Sequence, residues 1–258
     1  MYRFRLYTII VLLILLVMII GYLKLRRGVI IRKRVQQMNS VKEELSFTFN
    51  VFSPYSRTRC CKLKYLDSCY KHPFIPLLIY EGENASSFPQ ENSWRSNIAL
   101  DLNGCSSDQL HNHFNTMNKW NTESNVSVSI PYYCWTDNIS TVNGYNTSVM
   151  TIRGKGTITD LLENGQYNEN DETLNSVICL IEVKSNIHWA CKGDLEIDNI
   201  PIDITSGMDN IGVTVMFQDG DIWYLDKSVP RNLLISFMKK NESMQCSKEE
   251  YLSKYRLL

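Results

Sequence analysis

VTVMFQDGDIWYL, residues 213–225, sets two alternating apolar runs on either side of Asp219-Gly220-Asp221. An Asp-Gly pair in that position is a strong hairpin signal. A tight type I′ turn needs φ > 0 at its central residues, and glycine adopts that conformation at little cost. With Asp219 and Gly220 as the loop, Gln218 is expected opposite Asp221, Phe217 opposite Ile222 and Val215 opposite Tyr224. Val213, Val215, Phe217, Ile222 and Tyr224 then share one buried face of an antiparallel sheet. The two carboxylates also invite a metal reading, but a calcium loop needs further oxygen ligands at fixed spacings, which DGD lacks.

Other segments fit the same sheet. VICLIEV, residues 177–183, is an apolar run of buried-strand length, and SVMTIRG and VSVSIPYY add strand-like pieces between Asn, Gly and Asp clusters. A short apolar strand is also expected near PLLIY. Ser106 and Gln109 form a capping box ahead of Leu110, His113, Phe114 and Met117, which predicts one short helix. A second opens at Ser228-Val229-Pro230 with Leu233, Leu234, Phe237 and Met238 as its stripe.

The front of the chain constrains location. Residues 6–23, LYTIIVLLILLVMIIGYL, carry no charge and would make about 27 Å of helix, enough to cross a bilayer. No small-x-small cleavage pattern follows, so an uncleaved single-pass anchor is expected. Val35, Met38, Val41 and Leu45 then recur at helical spacing and predict a stalk over residues 24–45. At Leu45 the period changes: Leu45, Phe47, Phe49 and Val51 alternate with polar residues and read as a strand that starts the head, residues 46–258.

Orientation draws opposite signals. Lys24, Arg26, Arg27, Arg32, Lys33 and Arg34 follow the span against Arg3 and Arg5 before it, which would put the head in the cytoplasm. Eight cysteines, an even number with no CxxC pair, lean toward disulfides on an oxidising side, although Cys179 inside VICLIEV also reads as a small buried hydrophobe. Sequons at Asn84, Asn125, Asn138, Asn146 and Asn241 matter only in a eukaryotic secretory pathway.

Composition excludes several classes. Lys+Arg and Asp+Glu are 27 each, so no global charge points to nucleic acid. No nucleophile elbow, Walker loop, dinucleotide glycine pattern or kinase motif appears. RGKGT, residues 153–157, lacks the spaced glycines that cradle phosphate and reads as the end of a strand. His111 and His113 are two apart and diverge on a helix, and His72 and His188 have no partner motif. Glu182 and Asp194 could form a carboxylate pair, but sequence does not bring them together. No metal, cofactor or catalytic residue is assigned.

Several of these segments, in order, resemble one family. ENSWRSNIALDL resembles its SWR motif, NKWNTESN its "EPWDSP-N" stretch, and TSVMTIRGKGT its strand ending in G-x-G-T. NSVICLIEVKSNIHWACKGDLEID is similar to "NTILVVEV…VPWTKPEDL", and IGVTVMFQDGDIWYL to its closing "V-FADGSVRFL". This is family 1559 of the bacterial domains of unknown function, abundant in planctomycetes and similar to type IV pilin-like proteins. The resemblance covers about residues 88–240. It implies a pilin-type helix and an extracytoplasmic α+β head, and the strand and hairpin segments read above make that head's sheet mainly antiparallel. It also implies structural roles for Trp94, Arg95, Trp120, Gly154, Thr157, Glu182, Trp189, Asp194, Asp219 and Gly220. The prepilin cleavage segment is not matched: no glycine precedes the span, and the span holds no acid.

The function expected is that of a membrane-anchored, pseudopilin-like structural or interaction protein of the bacterial envelope, without catalysis. Its partners would be the bilayer through residues 6–23 and envelope or pilin-like proteins, with no nucleic acid. The alternative is a tethered binding module for an extracytoplasmic solute or glycan, with Trp94, Trp120, Trp135 and Trp223 as candidate platforms.

Overall fold

The computed structural model describes residues 2–56, 95, 120–126, 133–135, 144–168, 171–191, 193–240 and 247–258. The expected helix at 106–117 with His111 and His113, the PLLIY strand, most of VSVSIPYY, Trp94, His72 and Cys60, Cys61, Cys69, Cys105 and Cys246 lie outside these residues. So do the sequons at Asn84, Asn138 and Asn241.

One helix, α1 (Tyr2–Ser56, 55 residues), runs from the apolar span into the head. At about 1.5 Å per residue it is some 80 Å long. Its apolar residues from Ile9 to Leu23 are exposed, and it is long and apolar enough to cross a membrane. Farther along, Ile31, Arg34, Met38 and Val41 are buried against the head. Their steps of three and four residues keep them on one helical face. The expected stripe was Val35, Met38, Val41 and Leu45; Val35 is only half-buried, and Arg34 takes the place beside it.

The strand expected at residues 45–51 is helix instead. In the sequence Leu45 and Phe49, and Phe47 and Val51, are four apart, a spacing that suits a helix as readily as the alternation suits a strand. Extending an existing helix adds one hydrogen bond per residue with no new nucleus, and that favours continuation.

The sheet has five strands in the order β3-β1-β2-β4-β5: β1 (Val149–Arg153), β2 (Ile178–Glu182), β3 (Leu195–Glu196), β4 (Gly212–Phe217) and β5 (Ile222–Asp226). It is mixed, not mainly antiparallel as expected. β1·β2, β2·β4 and β4·β5 are antiparallel, but β3 lies parallel to β1, with Ile152 opposite Leu195. A two-residue strand has no periodicity to announce it.

The hairpin forms one residue out of the expected register. Val215 faces Trp223 and Thr214 faces Tyr224. Gly220 N–H donates to the Phe217 carbonyl and Phe217 N–H to the Asp221 carbonyl, both at 2.9 Å. The loop is therefore the three residues 218–220, with Gly220 at φ +87° closing the bulge. Such a slip moves side chains to opposite faces. Val213, Val215 and Phe217 share a face with Trp223 and Leu225, and Ile222 and Tyr224 turn to the other.

Both faces are covered, which explains the near-continuous apolar runs. On one, Met38 and Val41 of α1 join Trp135, Val149, Leu180, Trp189 and Met216. On the other, Met150, Ile181 and β4 meet Ile197, Ile204 and the helix α4 (Arg231–Ser236), whose Leu234, followed by Phe237 and Met238, is fully buried. Helices α2 (Glu123–Val126) and α3 (Ile158–Glu163) precede α4, and α5 (Lys248–Tyr251) follows it.

RGKGT is a strand-to-helix turn. Gly154 and Gly156 have φ +109° and +83°, and Thr157 caps α3 by accepting from Asp160 N–H. A Cβ on Gly154 would lie 2.5 Å from Ile197 Cγ2, whereas one on Gly165, at φ +65°, meets nothing within 4 Å. Gly165→Ala is expected to cost about 1–2 kcal/mol for its left-handed backbone alone. Gly154→Ala should cost more by displacing buried Ile197. Urea unfolding of the two variants in detergent tests that order.

Candidate functional site

The carboxylates singled out in the sequence come to rest in three places. The first joins helix to head. Arg34, 1% exposed, donates to Asp209 through Nε (2.6 Å to Oδ2) and Nη2 (3.1 Å to Oδ1). Its Nη1 donates to Gln37 Oε1 at 3.0 Å, and the guanidinium lies 5.9 Å from the Trp135 ring centroid. Glu182 is wholly buried behind this pair, with Oε1 3.9 Å from Arg34 Nε. Glu182 accepts from Met208 N–H (2.9 Å), Thr214 N–H (3.0 Å) and the Thr214 hydroxyl (2.6 Å).

Burial pushes the Glu182 carboxyl above its ordinary range, opposed by hydrogen bonds from Thr214 and Met208 and by the Arg34 charge. One cation thus faces two buried carboxylates. Burial and the same two carboxylates also raise the Tyr224 hydroxyl, which stays protonated.

The second place is the DGD turn. Buried Lys248, from α5, bridges Asp219 Oδ2 and Asp221 Oδ2, the latter at 2.9 Å, over the Phe217 and Trp223 rings. Lys42 of α1 donates to the Gly220 carbonyl at 2.8 Å. The carboxylates hold a lysine, and the turn is tied to both α1 and α5.

The Lys248 hydrogen bond holds the Asp221 carboxyl below its ordinary 3.8, against a smaller upward push from burial. Because the folded value is depressed, this pair's stabilisation is present above 3.8 and fades as pH falls through the lower folded value. Lys248→Met should return the Asp221 midpoint upward in a carboxyl-carbon NMR titration; an unmoved midpoint would refute the pairing.

The third place is built on Arg95. Its guanidinium, fully buried, donates to the carbonyls of Trp189 (2.9 Å), Gly193 (2.9 Å), Cys191 (3.3 Å) and Val149 (3.4 Å) and to Asp194 Oδ1 (3.3 Å). Asp194 also accepts from Thr151 N–H at 3.3 Å and Arg153 Nε at 3.2 Å. Trp189 is fully buried beside Tyr133, and half-buried Trp120 stacks on His188 with ring centroids 5.2 Å apart. Trp135 and Trp223 are buried, so neither offers an exposed platform. Cys179 is buried, with its thiol donating to the Met216 carbonyl at 3.0 Å.

Glu182 and Asp194 do meet one common feature, a cleft of about 270 Å³ that both help to line. Apolar Met150, Val183, Ile187, Leu195 and Ile204 line it together with Lys184, Glu196 and Asp203. Among the described residues no group of three or more His, Cys, Asp or Glu side chains is placed to hold a metal ion. Arg34, Asp209 and Lys248 were not singled out in the sequence. A signal for Arg34 existed, because it falls on the Ile31–Met38–Val41 face.

Comparison with protein-family models, curated proteins and solved structures finds no match for this chain.

Proposed function

We propose that the chain is a membrane-anchored, pseudopilin-like structural or interaction subunit of a bacterial cell envelope, with its head on the extracytoplasmic side and no catalytic role. The observation that carries this reading is α1 itself, a single helix whose apolar residues from Ile9 to Leu23 are exposed and whose Met38 and Val41 lie in the head's core. A flexible tether would let a domain search. A helix locked into the head fixes its height and rotation over the membrane, as a scaffold requires. The ordered resemblance to the pilin-like family agrees with this use.

The test is protease accessibility of the head in intact and lysed spheroplasts, with recovery of the chain after alkaline extraction of membranes. Digestion before lysis, with the span retained in membranes, is the expected outcome. Protection until lysis would place the head in the cytoplasm, as the Lys and Arg run after the span implies, and would overturn the envelope role.

The cleft supports a second reading, a tethered module that binds a small extracytoplasmic solute. At about 270 Å³ it admits a small solute, and apolar and charged side chains line it together, as in many ligand sites. Calorimetry against a solute and glycan panel decides it, and no heat across the panel sinks it.

A further inference from the structure

Arg27 fixes how far the head stands from the span. Four residues past Leu23, it lies about 6 Å beyond the end of the uncharged run, and the headgroup layer on each side of a bilayer is of about that depth. Arg27 Nη2 is 2.5 Å from Asp226 Oδ2, at the last residue of β5. This end of the sheet is therefore tied to α1 little more than one helical turn past the uncharged run, and the DGD end, tied to Lys42, lies farther along the helix.

The segment 200–211 belongs to the same end. A Cβ on Gly207 would lie 2.0 Å from the carbonyl oxygen of Gly212, the residue paired with Asp226, and the Ile211 carbonyl accepts from Lys227 N–H. Within this segment Ile202 is 89% exposed, more than any other large apolar side chain among the described residues. Its neighbours Ile200 and Pro201 are pinned through their carbonyls by Arg231. Lys24, Arg26, Arg32, Lys33 and Lys227 are exposed around this end, with Asp203 beside Ile202.

A lone exposed isoleucine is ordinary on a protein surface. One in a segment that closes on the sheet end nearest the span, where α1 carries its exposed basic collar, has an occupant at hand. Resting on the anchored reading, we propose that this end of the head is a second membrane contact, in which Ile202 enters the headgroup boundary of the bilayer crossed by α1. The collar supplies attraction to lipid phosphates. The head is then seated on the membrane by two points, the helix and the Ile202 loop.

Photocrosslinking of the full chain tests this in nanodiscs of phosphatidylethanolamine and phosphatidylglycerol, with p-benzoylphenylalanine replacing Leu15, Ile202 or Glu249 one at a time. Leu15 lies in the span and Glu249 is exposed in α5 beside the DGD turn. Lipid adducts are expected at Leu15 and Ile202, severalfold above Glu249 by intact-mass analysis. Adducts at Leu15 with Ile202 no higher than Glu249 would overturn the second contact and leave the anchor standing. No adduct at Leu15 would overturn the anchor and the proposal together.

Discussion

Arg34→Ala is expected to release α1 from the head at a cost of about 3–5 kcal/mol, the range for breaking one side of a buried ion pair. Among the described residues the guanidinium is the cation that faces both Asp209 and Glu182, and without it these two largely buried carboxylates lose that counter-charge. Arg34→Lys should recover only part of the loss, since an ammonium cannot make the two-point bond to Asp209. Adding Asp209→Asn and Glu182→Gln to Arg34→Ala should restore stability, because the charges left stranded are then gone. The deficit of Arg34→Ala should also narrow in acid, as protonation neutralises the same two groups. Denaturant unfolding in detergent, followed across pH, measures all of these. A deficit that is the same at every pH would show that lost packing, not stranded charge, was the cause.

Arg95→Ala is expected to cost a similar amount, about 3–5 kcal/mol, by a different route. Four carbonyls, those of Trp189 and Val149 in fully buried residues, lose a donor, and Asp194 loses Arg95 while keeping Arg153 and Thr151. Trp189 sits against this hub, so its near-ultraviolet circular dichroism should weaken before β4 and β5 unfold. Asp194→Asn should cost less, since an amide oxygen still accepts from Arg95 and Thr151. Equal losses in the two variants would mean that the carbonyl cage contributes little.

The elements legible in the sequence are those whose patterning is long and one-sided. Residues 177–183 and 148–154 contain β2 and β1, the stripe after Pro230 is α4 and its turn, and the uncharged run at residues 6–23 lies in an exposed helix. What failed was local and physical. Asp219-Gly220 fits either a two-residue or a three-residue loop, and the choice decides which β5 side chains share a face with Val213, Val215 and Phe217. Residues 45–51 alternate in a way that a helix tolerates as well as a strand does. β3 is too short to carry a pattern.

Among site residues, Asp219, Gly220 and Trp189 lie in turn or core, and Arg95 is held by Asp194. Arg34 was read as one charge in a basic run. Only the packed head shows that it alone of that run is buried and faces Asp209.

Helix and head as one rigid body is the central claim, and hydrogen exchange of the full chain in nanodiscs tests it most directly. Amides of residues 31–42 should exchange as slowly as those of β4 and β5, and Arg34→Ala should release the helix amides first. Residues 31–42 exchanging in the intact chain far ahead of a protected β4–β5 hairpin would contradict it, and the head would then be a domain on a loose tether.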